Sequence, residues 1–171
     1  MNFIDEWEKV YDSHESDENN YKLILESVAS EFVRYNSITK DTFIRLISWK
    51  SPRLKGIIKL NEFETTYKPV ISHLKVGNES RTMIRSLVSQ YGIGTPVAST
   101  ILHFVHPDTF PIIDIRTTES LNHFGLWSYK TITEDNYWYF CEVITKIKLD
   151  TGRTLREIDR ALFSFHKVYL K

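Results

Sequence analysis

The sequence predicts an all-α protein, a multi-helix bundle of about eight to ten helices. Apolar residues recur at three- and four-residue steps through most of the chain, which is the period of an amphipathic helix. Convincing period-two strands are absent, and the short run FPIIDI at 110–115 is the only strand candidate. With 171 residues, of which 42% are hydrophobic, we expect a single domain that spans residues 1–171.

The first predicted helices cover segments 21–35 and 41–50, and each has an apolar face at helical spacing. The face predicted for the first of them consists of Leu23, Ile24, Val28, Phe32 and Tyr35. The proline and glycine of SPRLKG, at 51–56, then break the pattern. A further helix is predicted over 61–74. Pro69 lies inside it and predicts a kink or an early end, because proline lacks a backbone N–H.

Later helices are marked by stop and start signals. VGN at 76–78 ends one helical segment, and the next helix is predicted over 79–90. Two Thr–Glu pairs have the spacing of a capping box and predict the starts of the last two helices, namely Thr131 with Glu134 and Thr154 with Glu157.

Composition excludes several classes of protein. The 22 basic and 22 acidic side chains give zero formal net charge, which removes the simplest argument for nucleic-acid binding, a strongly basic chain. The basic run WKSPRLKGIIK at 49–59 still allows a basic face. One cysteine, Cys141, excludes a disulfide framework and a cysteine-bound zinc or iron–sulfur site within the chain. We predict no metal site, no signal peptide and no membrane helix, and therefore a cytoplasmic protein.

A glycine turn precedes the most apolar helix of the chain. Gly92 and Gly94 flank Ile93, and two glycines around an apolar residue permit positive φ and a close approach of the backbone to another molecule. Thr95 is a suitable N-cap and Pro96 a suitable first helical residue. Backbone N–H groups at a helix start, together with the positive end of the helix dipole, can hold a phosphate.

The turn and its two helices, at about 79–105, are followed by an extended segment at 107–116. That segment contains a single acid, Asp114, between isoleucines. Two structural interpretations compete with a functional one. The turn has the spacing of a tight interhelical connection that binds nothing, and Asp114 is a natural N-cap for a helix from Ile115 to about His123.

This stretch resembles the helix–hairpin–helix superfamily of DNA glycosylases, the group of endonuclease III, the adenine glycosylase and the 8-oxoguanine glycosylases. In that family a Gly-hydrophobic-Gly hairpin begins an apolar helix, and an extended segment then delivers an aspartate. The resemblance lies within residues 80–116, and the matching residues are Gly92, Ile93, Gly94, Ala98 and Pro111-Ile112-Ile113-Asp114.

The chain departs from the family at three points. Bifunctional members carry a lysine two positions past the second hairpin glycine, where this chain has Pro96, so the amine for a lyase step is missing. The cluster cysteines of endonuclease III are absent. Arg116 stands where several members have histidine after the aspartate.

The resemblance implies a hydrolytic chemistry for Asp114. Cleavage of a glycosidic bond builds positive charge on the sugar, which a fixed carboxylate stabilises, or the carboxylate orients the attacking water. A flipped base would be held between aromatic surfaces, for which the candidates are Trp49, Phe110 and Trp127. The candidate contacts to the DNA backbone, which are independent of base sequence, are Gly92, Ile93, Gly94, Thr95, Lys50, Arg53, Lys55 and Arg116. We predict no cofactor for this chain, and the resemblance implies that backbone carbonyls of the hairpin can hold a monovalent ion.

Three functions remain open at this point. The first is a monofunctional DNA N-glycosylase of base excision repair, a hydrolase that uses Asp114 and water. The second is a catalytically inactive reader module that binds DNA or a modified base. The third is a protein–protein interaction domain whose hairpin binds no phosphate. The retained Asp114 favours the first, whereas zero net charge and Pro96 favour the second.

Overall fold

The computed structural model describes residues 3–14, 17–75 and 79–171, and the predicted all-α fold is confirmed over these ranges. These residues form nine α-helices and no strand. The helices are α1 Phe3–His14, α2 Glu18–Tyr35, α3 Lys40–Lys50, α4 Lys68–Ser72, α5 Ser80–Val88, α6 Thr95–Val105, α7 Ile115–His123, α8 Glu134–Thr151 and α9 Leu155–Tyr169. Within the described ranges, every helix is too short or too polar to traverse a lipid bilayer. The stop predicted at 76–78 lies outside the described residues.

The described residues group into two compact units. Unit 1 comprises the described residues of Met1–Ser16 together with His106–Lys171, and unit 2 comprises those of Asp17–Val105. Two compact units occur both within one domain and in two separate domains, so the single domain over 1–171 stays a prediction.

In unit 2, α6 occupies the centre and contacts α2, α3 and α5. Nine of its eleven residues are buried, which explains why it is so apolar. Ala98 is fully buried, and its small side chain suits close helix packing. The face predicted for α2 is correct at Ile24 and Val28 but wrong at Leu23 and Tyr35, which are each 56% exposed.

The helix predicted over 61–74 is divided into three parts. A 3-10 turn at Leu60–Glu62 leads into a π-helical turn at Phe63–Tyr67, and α4 follows. Pro69 stands in the first turn of α4. The Lys68 N–H donates to the Phe63 carbonyl across a wider turn, and Pro69 follows at the start of α4, where its missing N–H is tolerated.

In unit 1, α9 contacts α1, α7 and α8. The capping box predicted for α9 is confirmed, because the Thr154 side chain accepts from the Glu157 N–H and the Glu157 side chain accepts from the Thr154 N–H. Its apolar face is buried at Ile158, Leu162 and Phe165. This stripe holds the three partner helices to α9.

The capping box predicted for α8 is wrong by two residues. The N-cap is Thr133 rather than Thr131, and its partner is Asn136 rather than Glu134. The Asn136 side chain accepts from the Thr133 N–H at 2.9 Å and donates to the Thr131 carbonyl at 2.8 Å. One buried amide therefore satisfies two backbone groups, which the glutamate carboxylate could not do because it has no hydrogen to donate.

Candidate nucleic-acid interface

A tight turn joins α5 to α6, as the sequence predicts. The Ile93 N–H donates to the Gln90 carbonyl at 3.1 Å, and Ile93 itself is 3% exposed. Gly92 has φ +79°, in the left-handed region that favours glycine, whereas Gly94 is not among the residues with positive φ. Of these two positions, the backbone conformation therefore favours glycine at position 92 alone.

The first residue of α6 is Thr95, one position earlier than predicted. The Gly94 carbonyl accepts from the N–H groups of Val97 and Ala98, at 3.0 and 2.9 Å, so Gly94 takes the place expected for Thr95 as the residue before the helix. Pro96 is the second helical residue, where its missing N–H does no harm. The exposed Gly94 therefore presents backbone at the positive end of an eleven-residue helix.

The glycine turn packs against the basic segment that follows α3. A Cβ at Gly92 would lie 3.2 Å from Ile58 Cγ1 and 3.3 Å from Ile57 Cγ2. Ile57 and Ile58 directly follow the 3-10 helix Pro52–Gly56, which carries two of the predicted DNA contacts. The structure thus brings together two groups of residues that the sequence separates by more than thirty positions.

Tyr67 ties these two segments together. Its hydroxyl donates to the Tyr91 carbonyl at 2.8 Å and accepts from the Lys59 N–H at 3.2 Å. Tyr67 is 1% exposed, so the bridge is protected from water. Sequence reasoning gave Tyr67 no such role, because its partners lie 8 and 24 residues away and no local pattern connects them.

Cations line this part of unit 2. Arg53 and Lys55 are exposed, and Lys50 is half-buried. Lys59, which sequence reasoning missed, places its Nζ 4.9 Å from the ring centroid of Tyr91, a side chain that is 62% exposed beside the turn. The same ammonium lies 3.5 Å from a Glu62 carboxylate oxygen. An exposed aromatic ring beside several cations is a combination that suits a nucleic-acid strand.

The zero net charge of the chain conceals a difference between the units. Unit 2 contains twelve Lys and Arg against eight Asp and Glu, a net charge of +4, and unit 1 contains ten against fourteen, a net charge of −4. The glycine turn and the basic segment both belong to the positive unit. The neutral composition therefore does not argue against a local phosphate-binding surface.

In unit 1, Asp114 is the N-cap of α7, as the structural interpretation predicts. Its Oδ1 accepts from the Thr117 N–H at 3.0 Å, and the Thr117 hydroxyl lies 3.0 Å from the Asp114 N–H and accepts from it. Its backbone is extended, with φ −153°, and the side chain is half-buried. The helix then runs from Ile115 to His123, as predicted.

The segment that leads to Asp114 is extended but forms no strand. Ile112 and Ile113 are 3% and 0% exposed and anchor it in unit 1. The Tyr137 hydroxyl donates to the Pro111 carbonyl at 2.9 Å. Burial raises the pKa of Tyr137, so the hydroxyl remains a donor at neutral pH. Asp114 is thus held on both sides, by this anchor and by the cap of α7.

The remaining predicted DNA contact, Arg116, lies in unit 1. Its guanidinium stands 4.6 Å from the ring centroid of Phe163 and is half-buried. This cation–π contact fixes the direction of the side chain. A role of Arg116 in binding DNA stays a prediction.

The three candidate base-contacting aromatics differ in their surroundings. Phe110 and Trp127 are each 4% exposed, and the Trp127 indole N–H donates to the Tyr129 carbonyl at 2.8 Å. Such burial is typical of core packing. Trp49 is half-buried and lines an open groove in unit 2. Trp49 is therefore the candidate whose side chain is next to open space in unit 2.

Among the described residues, no group of three or more His, Cys, Asp and Glu side chains is arranged to hold a metal ion. Cys141 carries a free thiol, and burial raises its pKa to about 12. A thiol with such a pKa stays protonated at neutral pH and is a poor nucleophile.

Comparison with known proteins identifies no relative. No family model matches the chain, and neither the curated proteins nor the solved structures include a significant match.

Proposed function

We propose that this chain is a DNA-binding protein that resembles a monofunctional base-excision N-glycosylase. The observation that carries the proposal is the succession of glycine turn, apolar helix and Asp114 within residues 92–114. The basic segment packed against the turn in a positively charged unit supports it, because this is the surface that a phosphate backbone requires.

The glycine turn and the basic segment contact DNA without reading its sequence. The backbone of Gly94 and Thr95 at the start of α6 and the helix dipole attract one phosphate. Arg53 and Lys59 neutralise neighbouring phosphates. Tyr67 positions the two segments relative to each other through its hydrogen bonds to Tyr91 and Lys59.

Asp114 assists hydrolysis of the bond between a flipped base and its sugar. Its carboxylate stabilises the positive charge that develops on the sugar, or orients water toward the anomeric carbon. The base leaves with its electron pair and takes up a proton, and water supplies both that proton and the hydroxyl group that replaces the base on the sugar. Because Pro96 stands in place of an amine nucleophile, the product is an intact abasic site rather than a cleaved strand.

A reader module without catalysis is the second candidate, and one observation favours it. The capping box with Thr117 accounts structurally for an aspartate at position 114. In that case the same surface binds DNA or a modified base and no bond is broken. A protein–protein interaction domain is the third candidate, and it predicts no DNA binding.

Two comparisons of an aspartate with an asparagine test the proposal, one at position 94 and one at position 114. Position 94 has room for a side chain, since a Cβ added to Gly94 would lie 3.8 Å from the nearest atom, Pro96 Cδ. In Gly94→Asp the carboxylate caps α6 and occupies the place of the phosphate, so we expect a loss of DNA affinity of at least about tenfold. Gly94→Asn provides the same cap without the charge and is the matched control. Equal affinity of the two variants would contradict a phosphate at this site.

Asp114→Asn separates catalysis from capping. Asparagine caps a helix as well as aspartate does, so stability should change by less than about 0.5 kcal/mol. Base excision should fall by about a hundredfold or more, because the carboxylate charge is lost. The assay incubates duplex and single-stranded oligonucleotides that carry uracil, hypoxanthine, 8-oxoguanine, alkylated bases or abasic sites, and then reveals abasic products with hot alkali.

Each outcome of the assay selects one candidate. Alkali-dependent cleavage that disappears in Asp114→Asn supports the glycosylase and names the base. Binding without cleavage of any substrate selects the reader module. Absence of both at low salt overturns the DNA proposal in favour of the interaction domain.

A further inference from the structure

An open groove in unit 2 is not used by the proposed phosphate contacts. It has a volume of about 630 Å³ and lies between α2, α3 and the 3-10 helix Pro52–Gly56. This volume is in the range of about 300–1,000 Å³ that small-molecule sites occupy. Leu23, the residue of α2 that was predicted to be buried but is 56% exposed, is part of its apolar wall.

One wall of the groove is the indole of Trp49, and neighbouring rings hold it in place. The Phe104 ring meets it edge-on, with centroids 5.2 Å apart and an interplanar angle of 87°. Tyr21 lies against it at 5.7 Å. A large ring fixed by other rings before a ligand arrives loses little conformational entropy when a planar group stacks on it.

Two cations line the same groove. The Arg45 guanidinium is oriented by a hydrogen bond to the Thr42 hydroxyl at 2.9 Å and by Asp41, 3.2 Å from its Nε. Lys55 is exposed and belongs to the 3-10 helix. A groove with a fixed indole, an aliphatic wall and two cations suits a ligand that combines a planar ring with a phosphate.

The α2 side of the groove carries a carboxylate and an amide rather than cations. Asp17 and Asn20 line it, and the Asn20 amide donates to Asp17 Oδ1 at 2.9 Å. A carboxylate repels a phosphate but accepts hydrogen bonds from the N–H groups on the edge of a base. The groups therefore direct the phosphate toward Arg45 and Lys55 and the base edge toward Asp17.

We propose that this groove binds one unstacked nucleotide of a single-stranded nucleic acid, with the base on Trp49 and a phosphate at Arg45 and Lys55. The proposal rests on the proposed function, because it assumes that unit 2 contacts nucleic acid. Lys55 is two residues from Ile57, which packs against the glycine turn, so the strand held at the turn passes close to the groove. The net charge of +4 of unit 2 favours a polyanion over an apolar peptide as the occupant.

The test measures binding of a fluorescently labelled single-stranded oligothymidine of about ten nucleotides at low salt. Trp49→Leu should weaken binding by about tenfold, whereas Trp49→Phe, which keeps a ring, should stay within about threefold of the wild type. Lys55→Glu should weaken binding by at least about tenfold. Lys75→Glu changes the charge of unit 2 equally at an exposed residue outside the groove, and it is the matched control.

Tryptophan fluorescence gives an independent readout. The chain has four tryptophans, and stacking on one of them should quench part of the emission when the oligonucleotide binds. That part of the quenching should be missing in Trp49→Phe. Because Lys55 is exposed, Lys55→Glu keeps the test valid even if Trp49→Leu fails to fold.

The failure of this proposal is distinguishable from the failure of the proposed function. If Lys55→Glu and Lys75→Glu bind the single strand equally and the quenching persists in Trp49→Phe, the groove proposal is overturned. If Gly94→Asp still binds the duplex more weakly than Gly94→Asn, the proposed function remains supported. If the wild type binds neither the single strand nor the duplex, both proposals fall.

Discussion

In unit 1 two ion pairs join α1 to the region of α9, whereas the described ion pairs of unit 2 lie between residues three or four positions apart. The unit 1 pairs are Asp5 with Arg153 and Glu8 with Arg160. The Glu8 and Arg160 side chains are only 17% and 12% exposed. In the unit 2 pairs each side chain is at least 38% exposed, and these pairs are Asp41 with Arg45, Lys59 with Glu62 and Glu64 with Lys68.

The ion pairs of the two units thus differ in how far apart their residues lie in the sequence and, at Glu8 and Arg160, in burial. The Glu8–Arg160 pair of unit 1 joins two helices where water is largely excluded, so each of these charges needs its partner. Charges in unit 2 remain near water, where an ion pair contributes little and a phosphate can compete for the cation. Three sets of variants probe the two units, in order of decreasing expected effect on stability at neutral pH.

The largest effect is expected from Glu8→Ala. Burial lowers the pKa of the Arg160 guanidinium, which shows that its charge is poorly solvated. Removing Glu8 leaves that charge without its carboxylate, so the free energy of unfolding should fall by about 3 kcal/mol. Urea denaturation measures the change. Glu64→Ala breaks the exposed pair with Lys68 and should change stability by less than about 0.5 kcal/mol.

A double variant sharpens this prediction. In Glu8→Ala combined with Arg160→Met both charges are gone, so the loss should be smaller than in Glu8→Ala alone. A loss in Glu8→Ala no greater than in Glu64→Ala would contradict the contrast between the units.

The second effect concerns glycines with positive φ in the two units. Gly92→Ala should cost about 2 kcal/mol, because a Cβ would meet Ile57 and Ile58 in addition to the cost of the left-handed conformation. Gly125 in unit 1 has a similar φ of +70° but no atom within 4 Å of a built Cβ. Gly125→Ala should therefore cost about 1 kcal/mol. Thermal denaturation of both variants measures the difference, and equal losses would show that the turn is not tightly packed.

The third effect lies in unit 1 and is absent at neutral pH, because it appears only in alkali. The pKa of Cys141 is raised by burial from its ordinary value of 9.0 to about 12. Between these values the unfolded chain releases a proton that the folded chain retains, so stability should be unaffected below pH 9 and fall as the pH rises toward about 12. In Cys141→Ala this decline should be shallower, with a remainder from Tyr137, whose pKa is also raised. Parallel declines in the two proteins would contradict a buried thiol.

Much of the fold was predictable because helix signals are local. Asp114 caps α7, and Thr154 with Glu157 begins α9, because each cap is formed within four residues of the chain. The error at α8 is also instructive. Thr131 and Thr133 each have a possible capping partner three residues later. Thr133 is the N-cap because its partner Asn136 is buried, and this burial cannot be read from the local sequence.

The candidate site was predictable in its residue types but not in its arrangement. The sequence indicated a glycine turn, a basic segment and an aspartate. It did not indicate that Gly92 packs against Ile57 and Ile58, nor that Lys59 and Tyr91 lie together beside the turn. The sequence also did not distinguish Trp49, Phe110 and Trp127 as base-contacting candidates, because that distinction depends on the burial of each side chain.

The all-α class, the bounds of α7, the start of α9, and the succession of turn, helix and aspartate thus follow from the amino-acid sequence. Hydrophobic period and capping act over a few residues, so they are readable in order along the chain. Three other properties follow from the folded structure: Tyr67 joins residues 59 and 91, a neutral chain divides into units of opposite net charge, and Trp49 borders an open groove. These properties depend on which distant segments exclude water from one another, and burial of that kind is decided by the packing of the whole unit.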